Sequence, residues 1–191
     1  MCRTALTKIS RSNMERLEIE ACLESMQVLV DTREQPSERA SRRYEAFGRP
    51  YRRQTLSFGD YTYNFKLPSG QWLHGPDTTA QGHCIIERKM NLEELSGCFT
   101  RERDRFRREF EKAKNANATV YLLVEDASWE KIINHGYKTK FNPSAFFATL
   151  VAWMIRFDFK VIFCKKETAG KLISEILYRN LKERLESGFY G

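Results

Sequence analysis

Three short charge clusters stand at the ends of apolar runs: Asp31-Thr32-Arg33-Glu34, Gly59-Asp60-Tyr61 and Glu87-Arg88-Lys89. The third follows Cys84-Ile85-Ile86, an apolar stretch with two β-branched residues. Side chains alternate across a strand, so Glu87 and Lys89 point to one face and Arg88 to the other. A carboxylate beside an ammonium at a strand end, with Asp60 supplied by a neighbouring strand, suits metal-assisted cleavage of a phosphodiester. Carboxylate oxygens hold hard cations such as Mg2+, and a nearby lysine can orient the attacking water or offset charge developing on the phosphate. Glu-Arg-Lys alone is a common surface triplet. Acidic residues at several strand ends can converge on one site, which solvated surface charges have no reason to do.

The elements that must position these groups can be read in order. Gln27–Asp31 is an apolar strand delivering Asp31. After Pro36, residues 37–47 read as an arginine-rich helix stopped by Gly48 and Pro50, whose Arg39, Arg42 and Arg43 either meet phosphate or, the reading preferred, lie on an ordinary solvated face. Residues 51–58 and 61–65 read as strands joined through Gly59-Asp60, Pro68-Ser69-Gly70 as a hairpin turn, and 75–82 as a polar loop. Past the Glu-Arg-Lys strand, Asn91 caps a short helix, 92–98. A basic helix follows over 100–114, with Phe99, Phe106, Phe110 and Ala113 at core-facing spacing. Thr119–Val124 is a buried strand and 129–134 a short helix. Asn142-Pro143 opens a helix to Phe157 that is apolar almost all round, read as sandwiched in the core or half of a subunit interface. Residues 159–164 form the last strand and 168–186 an amphipathic helix. Strands alternating with helices give an α/β layer fold with a mixed sheet. Residues 1–25 are polar and mixed in charge, with a weakly helical stretch from Asn13 to Glu24, and read as an appendage, leaving 26–191 as the domain.

The order Val-Leu-Val-Asp31-x-Arg33-Glu34, then Gly59-Asp60-Tyr61, then Ile86-Glu87-Arg88-Lys89 followed by an acid resembles the XPF-type nuclease domain, a branch of the restriction-endonuclease-like superfamily. The likeness runs from about Val28 to about Glu186. It implies a central mixed β-sheet flanked by helices, and a metal-dependent DNA endonuclease acting in DNA repair, recombination or phage DNA processing. It also implies that Asp60, Glu87 and the backbone carbonyl of Arg88 bind Mg2+ or Mn2+, with Asp31 and Glu34 completing the metal's shell. Lys89 would position the attacking water or help deprotonate it, a role eased if partial burial and a nearby metal lower its pKa. Arg33 and Arg88 would clamp phosphate or orient the carboxylates. In the family an arginine-bearing helix follows the active-site strand, and Arg103, then Arg107, are the residues that align with it. The alternative for that helix is a charge-laced surface, with Glu102, Asp104, Glu109 and Glu111 as partners. The family carries Asp four residues after the lysine where this chain has Glu93, which also suits a first helical turn, where the dipole favours negative charge.

The formal net charge is +7 and the hydrophobic share 41%, enough for one proper core and in keeping with a polyanionic partner. Five cysteines, with no Cys-x-x-Cys pair, argue for reduced thiols. No run approaches membrane-span length and no secretory h-region opens the chain, so the expected setting is the cytoplasm of a bacterium or a phage-infected cell. Neither tandem helix-hairpin-helix modules nor a P-loop is expected. DNA is the expected partner, with a homodimer or a further protein subunit open. Two rival functions remain: a non-catalytic DNA-binding or scaffold subunit, and a sequence-specific restriction enzyme, which would need a base-reading element that is not visible.

Overall fold

A computed structural model of the chain describes residues 14–74 and 84–188. The polar loop expected at 75–82 lies outside the described residues. In chain order the elements are α1 (Arg16–Glu24), β1 (Gln27–Asp31), α2 (Glu38–Glu45), β2 (Tyr51–Gln54), β3 (Tyr61–Lys66), β4 (Trp72–His74), β5 (Cys84–Lys89), α3 (Leu92–Phe99), α4 (Arg103–Asn115), β6 (Thr119–Glu125), α5 (Trp129–Ile133), α6 (Pro143–Phe157), β7 (Lys160–Cys164) and α7 (Ala169–Glu186). The strands form one sheet ordered β2-β1-β3-β5-β6-β7, with β4 paired to β3. β1/β2, β5/β6 and β6/β7 are parallel, whereas β3 runs antiparallel to β1, β4 and β5. The expected α/β mixed sheet is therefore present.

Two cores cover its two faces. One gathers Val28, Val30, Tyr61, Tyr63, Ile86 and Leu123 under α1, α2 and α7. The other gathers Ile85, Leu122 and Val124 under α3, α4, α5 and α6. Ile85 and Ile86 thus face opposite ways, as strand alternation requires, which puts Glu87 and Lys89 on the α4 side and Arg88 on the α2 side. Phe99, Phe106, Phe110 and Ala113 are buried as their spacing predicts, packed around Trp153 and Phe157 of α6. The apolar α6 splits its two readings: Phe146, Leu150 and Trp153 are buried, while Ile155 is 80% exposed.

Several local outcomes differ from expectation. The strand expected over 51–58 stops at Gln54, because the Leu56 N–H leaves the ladder and donates to Asp31 Oδ2 at 2.9 Å. Gly59 then turns the chain at φ +72°, where a Cβ would collide with Ile85 Cγ2. The 1–25 stretch contains α1, whose Cys22 and Leu23 are buried in the first core. On the helix read as solvated, Arg43 is buried and Arg39 half-buried. At the far side, Gly170 brings α7 against the Arg43 carbonyl, closer than any side chain would allow.

Candidate active site

A backbone relay aligns the strand ends. The Asp31 N–H donates to the Asp60 carbonyl at 2.9 Å, and the Asp60 N–H donates to the Ile86 carbonyl at 2.9 Å. The Arg88 N–H then donates to the Asp60 carboxylate at 2.7 Å. Asp60 is thereby fixed against the last turn of β5, next to Glu87 and Lys89. Lys89 Nζ lies 2.6 Å from Glu87 Oε1 and 3.8 Å from Glu94 Oε1, with its ammonium 5.3 Å from the Phe106 ring centre.

The charges act on one another strongly. Withdrawal from water and the Glu87 charge together push the Asp60 carboxyl up to about 8, against the pull of Lys89 and the Arg88 N–H. For Lys89, burial favours the neutral amine, but Glu87 and Asp60 outweigh it and hold the group above its ordinary range. With no cation on Glu87 and Asp60, these carboxylates favour the Lys89 ammonium, a form suited to orienting water or offsetting charge.

Asp31 is 1% exposed and its carboxylate is fully engaged by the Arg33 side chain at 2.8 and 2.9 Å, the Arg33 N–H at 2.6 Å and the Leu56 N–H at 2.9 Å. Burial works against its charge, but those donors prevail and hold its carboxyl below the usual range. Glu34 lies across the sheet, bonded to Arg43 and, at 3.1 Å, to Arg88. Among the described residues no three His, Cys, Asp or Glu side chains stand close enough to hold an ion. Asp31 and Glu34 are each bonded elsewhere, the first into its own turn and the second to Arg43 and Arg88, although the Glu34 charge still adds to the upward push on Asp60.

Arg88 is anchored instead of free. It bonds Glu34 and, at 3.3 Å, Glu125, which is 0% exposed and also accepts from Arg39 and Arg43. Arg43 Nε donates to the Tyr61 hydroxyl at 2.9 Å, completing a buried ionic network beneath the site. Arg33 leans on Asp31 and lies within the fields of Glu109 and Asp60. Arg103 donates to the Phe99 carbonyl at 3.2 Å and sits 5.4 Å from the Trp153 ring, joining helices. Arg107 pairs with Asp104 at 3.4 Å and Glu111 at 3.5 Å, the charge-laced alternative. Glu93 accepts from the Lys138 N–H at 2.9 Å, so the acid beside Lys89 is Glu94.

Three residues escaped sequence reasoning. Glu125 ends the apolar β6 run just as Glu87 nearly ends β5, a signal that was available. Glu94 was hidden by the adjacent Glu93 in the same helical turn. Glu109, counted as a surface partner, lines a small cleft with Glu87, Phe58 and Gly59, and its Oε2 is buried with no hydrogen-bond partner.

The donor set fits a divalent cation. Asp60 and Glu87 offer hard carboxylate oxygens whose mutual repulsion, seen in the raised Asp60 carboxyl, a cation would relieve.

The profile of the ERCC4 domain matches residues 30–175, and the chain belongs to that family. Among solved structures, XPF from Aeropyrum pernix is similar with a TM-score of 0.56 at 17% identity, over 83% of this chain and 66% of that one. XPF from Aeropyrum pernix in complex with DNA gives a TM-score of 0.54 at 20% identity, over 80% of this chain and 63% of that one. The chain therefore spans somewhat less than two thirds of the length of these structures, and at such identities the likeness is one of fold. No curated protein matches the sequence.

Proposed function

We propose that the chain is a metal-dependent, structure-specific DNA endonuclease of DNA repair, recombination or phage DNA processing, with residues 26–191 as its nuclease domain. The observation that carries this reading is the Glu87–Lys89 pair at 2.6 Å, set beside an Asp60 whose carboxyl is raised by burial and by Glu87. The family membership supports nuclease chemistry. A DNA complex of the similar archaeal protein supports DNA as the partner.

Asp60, Glu87 and the Arg88 carbonyl would hold Mg2+ or Mn2+. Such an ion supplies Lewis-acid stabilisation of the phosphate and leaving oxygen and an acidified water. Lys89, fixed as an ammonium by Glu87, orients the attacking water and offsets charge on the phosphate oxygens. Arg33 and Asp31 brace the turn that carries Leu56, ahead of Gly59. Arg88, Glu34, Glu125 and Arg43 hold the β5 end rigid, because none of these buried charges can move without leaving another unpaired. A second copy of the chain is the protein partner we propose, through the outer face of α6, where Phe147 and Ile155 are exposed.

The test uses labelled flap, splayed-arm, single-strand and duplex DNA with Mg2+, Mn2+ or EDTA. Metal-dependent cutting should fall by about a thousandfold or more in Lys89→Ala and Asp60→Asn, with DNA affinity retained. Tight binding without cutting under any metal would sink the enzyme and leave a non-catalytic DNA-binding subunit.

A further inference from the structure

Between α2 and the turn leading into α7 lies a pocket of about 240 Å3 that the proposed chemistry does not use. Four cations line it, Arg39, Arg42, Arg43 and Lys166, against Glu38 and Glu167. The cations differ in what holds them. Arg43 is committed to Tyr61, Glu34 and Glu125 in the network below. Arg39 bonds Glu125 and the Met90 carbonyl through Nη2, yet its Nε is buried with no acceptor. Among the described residues Arg42 and Lys166 form ion pairs only with the two glutamates, which are 80% and 66% exposed. Such exposed pairs are weak and readily exchanged for a better anion.

The position of the pocket is as telling as its charge. The Met90 carbonyl that Arg39 reaches, at 3.4 Å, is one residue past Lys89. An anion in the pocket would sit at the same end of the sheet as the proposed scissile phosphate, around the rim from it. A single anionic oxygen group beside Arg42 and Lys166 would neutralise both, and the oxygens of a phosphate have the acceptor capacity to do so.

We propose that this pocket binds a backbone phosphate of the DNA strand flanking the cut, gripped by Arg42 and Lys166. The proposal rests on the nuclease reading and adds a strand-tracking contact to it. Arg42 and Lys166 are positioning residues that never touch the reacting atoms.

The experiment is fluorescence anisotropy of a labelled splayed-arm DNA in EDTA across a salt series, comparing the wild type with Arg42→Ala/Lys166→Ala. Both side chains are solvent-facing, so folding is preserved. Arg179→Ala/Lys182→Ala removes the same two charges farther along α7 and serves as the control. The pocket variant should bind about tenfold more weakly near 0.1 M salt, with a salt slope shallower by about two, while the control keeps the wild-type slope. A wild-type slope in the pocket variant would overturn the proposal. Calorimetry with inorganic phosphate separates sources: phosphate binding lost in the variant with the DNA slope unchanged would rule out the strand as occupant. A wild type that cuts no DNA in Mg2+ or Mn2+, yet shows the slope difference, would sink the enzyme reading and support the pocket.

Discussion

Asp60 holds its proton more tightly than an ordinary aspartate, and this has two measurable outcomes. Its carboxyl shifts from 3.8 unfolded to about 8 folded, through burial first and Glu87 second. A raised folded value stabilises the metal-free protein fully below the unfolded value, and that stabilisation is lost as pH rises through about 8. Urea midpoints of metal-free protein should therefore drop from pH 5 to pH 8, and Asp60→Asn should flatten the drop. A cation must displace the same proton, so Mn2+ affinity should rise by up to about tenfold per pH unit below 8, levelling off above it. Calorimetry at pH 6.5 and 8.5 checks this, and equal affinities would remove Asp60 from the ligand set. The site was partly legible at this scale. Residue types and strand alternation sorted Glu87 and Lys89 from Arg88. They could not say that Asp31 would be consumed by the Arg33 and Leu56 donors, because that depends on how a turn closes. Nor could they give the sign of the Lys89 shift, which is a contest between burial and two neighbouring carboxylates.

At the level of elements, the turn before β3 decides where Asp60 stands. Gly59→Ala meets both a positive φ and Ile85, and should cost about 2 kcal/mol or more, with activity falling further than stability because Asp60 moves. Chemical denaturation beside cleavage rates checks this. In the aromatic core, Trp153 Nε1 is buried without an acceptor. Trp153→Phe should therefore cost little for the lost N–H and stay within about 1.5 kcal/mol, whereas Trp153→Ala should cost about 3–5 kcal/mol. Most elements were readable from sequence to within a residue or two, since α6 is bracketed by Asn142-Pro143 and the β5 and β6 runs are sharply apolar. The second strand was overextended, because the side-chain bond that ends it joins residues 25 positions apart. Arg39 and Arg43 were read as solvated for the same reason: their partners Glu125 and Glu34 come from elsewhere in the sheet.

For the molecule as a whole, α1 is structural. Cys22 and Leu23 are buried beneath it, with Met14 and Ile19 packed alongside, so removing residues 1–25 should lower stability by about 3–5 kcal/mol. Unfolding curves of the shortened chain check this, and an unchanged midpoint would return the segment to the status of an appendage. The closing of α7 over the first core has an outcome in time. Ile173, Leu177, Leu181 and Leu185 of α7 seal the face that carries Val28, Val30, Tyr61 and Ile86. A ribosome releases every strand of the sheet before it releases this helix. Until then Arg88, Glu125 and Arg43 share a half-built face open to water, and the strand pairings beneath are long-range and slow to settle. A growing chain therefore carries Arg88, Glu125 and Arg43 before α7 can shield the face they share, so these charges settle into their buried network late.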